Sequence, residues 1–133
     1  MCEDPVRLAP TLDPPVSEAD LMAVHTRARA FEDWLRARFP ERIVHREVPV
    51  LALDARSSVV NAIIDVLVET PSGAWIIDHK TGVPDDVAGA FRSHWPQLDA
   101  YALALGQARS DLAVAGLAIH WPLLGVVAET AGG

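Results

Sequence analysis

A chain of 133 residues carries sequence for one domain, and at that size roughly two-thirds of the unfolded surface can be buried without a disulfide or a structural metal. Half of the residues are hydrophobic, which excludes intrinsic disorder, yet no apolar run approaches the ~20 residues that span a bilayer, so no membrane role is expected. Eleven basic against eighteen acidic residues give a net charge of −7, which excludes a blanket of positive potential for nonspecific nucleic-acid binding; the single cysteine, Cys2, excludes a disulfide framework, a Cys-ligated zinc knuckle and an iron–sulfur cluster.

Residues 1–16 hold Pro5, Pro10, Pro14 and Pro15 and are expected to form an extended, proline-rich leader, a tether to a domain spanning 17–133. Their acidic and proline content does not match a signal peptide, so a cytoplasmic location is expected. Ser17 opens a predicted amphipathic helix in which Leu21, Val24, Ala28, Phe31 and Leu35 recur at helical spacing to about Arg38, before Pro40. The arginines on and after this helix read as a solvated face. Ile43 to Leu51 alternates as a strand, with Val44, Val48 and Val50 on one face and Pro49 marking an edge position. Val59 to Glu69 is apolar on both faces, as a doubly covered strand is, apart from Asp65. Thr70-Pro71-Ser72-Gly73 has the proline and glycine placement of a type I turn, and Ala74 to His79 returns as the second strand of a hairpin.

After a loop at residues 81–86, Pro96 fits the first turn of a second helix with the stripe Leu98, Tyr101 and Leu105, ended by Gly106. Leu112 to Trp121 reads as a further strand, and Leu124 to Ala128 as a weaker one. The element order is therefore α-β-β-β-α-β, an α/β arrangement with no internal repeat.

The hairpin carries the chemistry. With an even-length turn centred on Pro71-Ser72, Asp65 and Asp78 stand directly opposite one another, about 4.5–5.5 Å apart at Cβ. Two like charges facing across a ladder are destabilising unless a cation lies between them, and the spacing suits a divalent metal. A three-residue turn would instead place the aspartates on opposite faces. Lys80, the only lysine against ten arginines, follows Asp78 by two residues and projects from the same face. A carboxylate pair with an amine suits phosphodiester hydrolysis: oxygen ligands hold Mg²⁺, the metal activates water, and the ammonium orients that water or stabilises developing charge. The competing reading is a structural ion pair between Asp65 and Lys80.

Three blocks then occur in order: Ala62-Ile63-Ile64-Asp65, Ile76-Ile77-Asp78-His79-Lys80-Thr81-Gly82, and Gln97-Leu98-Asp99-Ala100-Tyr101-Ala102-Leu103-Ala104-Leu105. With Ala23-Val24-His25 on the first helix, they resemble the RecB-type branch of the PD-(D/E)XK nuclease superfamily over about residues 18–121. The resemblance implies a restriction-endonuclease-like core, a central mixed sheet flanked by helices. It further implies Mg²⁺ or Mn²⁺ held by His25, Asp65, Asp78 and the carbonyl of His79, with Lys80 acting on the attacking water. Gln97 and Tyr101 would border the DNA strand. Domains of this kind occur in helicase-nucleases of the RecB, AddA and UvrD-related type and as free-standing exonucleases, so DNA and helicase domains are the partners implied and recombination and repair the setting. Helicase domains would also supply the DNA affinity that an acidic chain lacks. Two positions depart from the branch: Ala62 replaces a usual glycine and His79 a frequent tyrosine, and neither change removes a ligand. A non-catalytic module docking DNA or a helicase on the same fold is the alternative, and a small metal-binding domain with no nucleic-acid role is a third reading.

Overall fold

A computed structural model of the chain describes residues 6–10, 21–53, 56 and 58–130. The elements in chain order are β1 (Val6–Pro10), α1 (Leu21–Arg38), β2 (Ile43–Leu53), β3 (Val59–Thr70), β4 (Gly73–His79), α2 (Val87–Ala108), β5 (Val114–Trp121) and β6 (Val126–Thr130). The strands form one six-stranded sheet in the order β1-β6-β5-β4-β3-β2. Only β4 and β5 are parallel, because α2 carries the chain from one to the other, and every other neighbouring pair is antiparallel. The α/β class and the mixed sheet flanked by helices are as expected. No helix among the described residues is long and apolar enough to cross a membrane.

Each helix buries one stripe against one face of the sheet. Phe31, Leu35 and Phe39 on and just after α1 pack on Val66, Val68, Trp75, Ile77, Ala118 and Val127. Phe91, Leu98, Ala104 and Leu105 of α2 pack on Ile64, Leu67, Ala74, Ile76, Leu117 and Ile119 across the sheet. At ~25 cal/mol per Å² of apolar surface removed from water, two such interfaces supply the main driving force for this fold. The packing on the α1 side depends on Gly116: a Cβ there would stand 2.3 Å from the Trp75 ring, so the indole lies where a side chain would be.

Several sequence expectations are corrected. Val6–Pro10, within the presumed tether, is extended but paired along β6 from Val6↔Thr130 to Pro10↔Val126. Pro10 closes an edge strand, the place in a sheet where a missing N–H is best tolerated. The Ser17 cap lies outside the described residues. Helix α2 begins at Val87, well before Pro96, and is capped by Asp86, whose carboxylate accepts from Gly89 N–H at 3.1 Å. Pro96 therefore sits inside the helix; burial of Phe91 on one side of it and Leu98 on the other offsets the ~3 kcal/mol that an internal proline costs. Gly106 does not end the helix, which continues to Ala108.

Arg38 is not on a solvated face. Its guanidinium pairs with buried Glu129 of β6 at 2.8 Å and covers the rings of Phe39 and Trp75 at 4.8 Å.

The outer half of β3 is not covered on both faces, since Val59 and Ile63 are exposed. Nor do Val44, Val48 and Val50 share a face: Val44 packs on the α1 side, Val48 and Val50 on the α2 side. The same inversion occurs on β3 between Ile64 and Val66. The two strands invert together, with Glu47 at φ 52° opposite Asp65, while the pairing register is the same on either side. Asp65 thus occupies a break in the regular pleat of β3.

Candidate active site

The turn is two residues long, with Thr70 paired to Gly73 and the ladder running back to Val66↔Ile77. Thr70 Oγ1 donates to Gly73 O at 2.7 Å and helps close it. The even-turn condition is met, so Asp65 and Asp78 occupy the next opposed positions. There the ladder gives way to a side-chain contact: the backbone N–H of His79 donates to Asp65 Oδ2 at 2.8 Å. The Asp65 carboxylate is thereby drawn to the end of β4, beside Asp78.

Asp78 is 5 % exposed, and its carboxyl is held above the usual carboxylate range, first by burial and then by the neighbouring Asp65, with Lys80 opposing both. Lys80 Nζ stands 2.9 Å from Asp78 Oδ2, so the ion pair joins Lys80 to Asp78 and not to Asp65, as the structural alternative had it. The approach does not have hydrogen-bond geometry, and Asp78 Oδ2 is buried with no hydrogen-bond partner. Lys80 donates instead to Gln97 Oε1 at 2.9 Å, and Gln97 Nε2 donates to Tyr101 OH at 3.0 Å. An ammonium has only donors, so the Gln97 amide must present its oxygen to Lys80 and its nitrogen to Tyr101. Burial raises the Tyr101 phenol above its ordinary value, and the Asp78 charge adds to the shift. Gln97 and Tyr101 also line a groove of about 600 Å³ with Ala62 and Ile63 of β3.

The structure thus brings together Asp65, Asp78, the backbone of His79, Lys80, Gln97 and Tyr101. His25 is on α1, but its side chain lies outside the described residues. Among the described residues no three His, Cys, Asp or Glu side chains converge on one point. Two carboxylates do, and the donors they provide are oxygens.

On the opposite face of β4 lies a cluster that the sequence reading missed. The His79 side chain projects toward α1 and its Nδ1 is 2.9 Å from Nδ1 of His120 on β5. Phe31 of α1 stacks on the His120 ring at 4.3 Å and meets the His79 ring edge-on at 5.0 Å. Burial pushes the His120 imidazole down to about 3, with His79 adding to the shift, and lowers His79 as well. Phe31, Arg46, His79, His120 and Leu123 line a cavity of about 330 Å³ beside this cluster. The available signal was a histidine at the end of a buried apolar strand, which has no partner that can be read from spacing alone.

The model of the PD-(D/E)XK nuclease superfamily aligns with residues 6–125, nearly the whole chain and including β1. No curated protein matches the chain.

Proposed function

The chain belongs to the PD-(D/E)XK nuclease superfamily, and from that premise we propose that it is a metal-dependent DNA nuclease of the RecB branch, an exonuclease domain serving helicase domains, in its own or a partner chain, during recombination and repair. The observation that carries the reading is Asp78 Oδ2, a carboxylate oxygen buried beside a second carboxylate and left without a hydrogen bond. The Lys80 ammonium 2.9 Å from that oxygen is a single cation beside two carboxylates, and a divalent ion would offset the repulsion that one amine leaves between them.

The donors fit such an ion. Asp65, Asp78 and the His79 carbonyl are the hard oxygen donors that Mg²⁺ and Mn²⁺ prefer, and His25 on α1 would complete the set. When bound, the cation lowers the pKa of a water that it holds and offsets phosphate charge. The chain's own residues do the rest. Asp65 holds the end of β4 through His79 N–H while keeping its other oxygen for the site. Lys80, steadied between Asp78 and Gln97, directs its remaining N–H donors toward the attacking water or a phosphate oxygen. Tyr101 fixes the Gln97 amide, and the groove that these two line is where one DNA strand would run. The net charge of −7 agrees with a domain whose substrate is fed to it by another part of the machine.

The test is cleavage of single-stranded and blunt duplex DNA in Mg²⁺ or Mn²⁺. Lys80→Ala and Asp78→Ala are expected to abolish it while leaving the fold intact by circular dichroism. Metal-dependent cleavage retained by both variants would refute the assignment. A docking module without catalysis is the alternative, and the presence of both aspartates and Lys80 speaks against it.

A further inference from the structure

The geometry points to His120 as a positioning residue for this site, acting from the far face of the sheet, where it locks the backbone at His79 and Lys80. The inference rests on the nuclease reading and extends it to a residue outside the three sequence blocks.

The β3 ladder stops at Val66↔Ile77, so from Asp78 to Lys80 the end of β4 is paired only on its β5 side, where Asp78↔Ile119 and His79↔His120 continue. A strand end frays unless something holds it, yet three groups of the proposed site depend on this one: the Asp78 carboxylate, the His79 carbonyl and the Lys80 amine. The restraints that hold it converge on His120. Its backbone carbonyl accepts from Lys80 N–H at 2.9 Å, and its ring is bonded through Nδ1 to the His79 ring at 2.9 Å. Phe31 covers both rings from above. With His79 N–H bonded to Asp65, residue 79 is held at its backbone by a carboxylate and at its side chain by the His120 imidazole. His120 is 3 % exposed and touches none of the proposed metal donors with its side chain except through the His79 ring. Groups that orient metal ligands in this way commonly affect affinity by about 10–100-fold when removed.

The test is calorimetric titration of Mn²⁺ into the full chain and into His120→Phe and His120→Asn. Phenylalanine keeps the stack on Phe31 and loses the bond to His79. Asparagine places an amide near the position of Nδ1 and keeps that bond. The expected result is a dissociation constant raised about 10–100-fold in His120→Phe and restored to within about 3-fold of wild type in His120→Asn. His79→Phe removes the same bond from the other side and should match His120→Phe, which also covers the case in which the His120 variant fails to fold. The double variant should lose no more than either single one. A purely structural role would lower the melting temperature of His120→Phe and leave Mn²⁺ affinity of the folded protein unchanged, and that result would overturn the inference. Wild-type protein that binds no Mn²⁺ would overturn the nuclease reading itself and this inference with it.

Discussion

At the scale of single residues, Asp78 is placed against its own stability. It is buried, faces Asp65 and carries an oxygen with no hydrogen bond, and its carboxyl is raised above the ordinary value by burial first and by Asp65 second. A carboxyl whose folded pKa exceeds the unfolded value near 3.9 binds its proton more tightly in the native state, so stability falls as pH rises through that interval and stays reduced at neutral pH. Asp78→Asn is therefore expected to raise the melting temperature of the metal-free protein at pH 7 by a few degrees while eliminating cleavage, and the gain should shrink as the pH is lowered. A scan of melting temperature against pH, in chelator, checks both. His120 has the opposite sign. Burial holds it down to about 3, so the unfolded chain takes up the proton first. Its contribution is intact above about pH 6.5 and is lost as pH falls toward 3, about 2 kcal/mol being gone by pH 5. His120→Phe should lose less stability than wild type between pH 7 and pH 5, as measured by urea unfolding at each pH.

At the scale of elements, the contacts between distant segments govern stability. Arg38 at the end of α1 holds Glu129 of β6 through three hydrogen-bond contacts, and Glu129 is almost wholly buried. Arg38→Ala would leave that carboxylate buried without its guanidinium partner, and a loss of about 3 kcal/mol is expected in denaturant unfolding. The pair also marks the boundary of what could be read in the sequence. The hairpin was legible because its information is local: Pro71 and Gly73 signal the turn, and once the turn proves to be two residues long the register points Asp65 toward Asp78. The partner of Lys80 was half legible, since strand geometry puts it on the side of Asp78, whereas the bond to Gln97 depends on how α2 crosses the sheet. Arg38–Glu129 and His79–His120 join positions far apart in sequence, and neither residue of either pair identifies the other. The start of α2 was missed because Pro96 is a local signal for a helix start, which the packing of Phe91 and Leu98 overrides. The pairing of β1 was missed because a short strand added to an edge draws its stability from its neighbour.

At the scale of the molecule, the sheet divides two kinds of work. The α2 side carries the carboxylates, Lys80 and the Gln97–Tyr101 groove, and the α1 side carries the buried imidazole pair that holds the end of β4. Both meet at residues 78–80, so a small chain concentrates its polar chemistry at one strand end while two apolar interfaces carry the fold. Cleavage at this strand end depends on Asp65 and Asp78 forming one cation site. The measurement that tests it most directly is calorimetric titration of Mn²⁺ into wild type and Asp65→Asn, run beside cleavage of single-stranded and blunt duplex DNA. Saturable binding in wild type that is lost in Asp65→Asn is expected, together with cleavage that requires the metal. Equal binding by both proteins, or none by either, would contradict it.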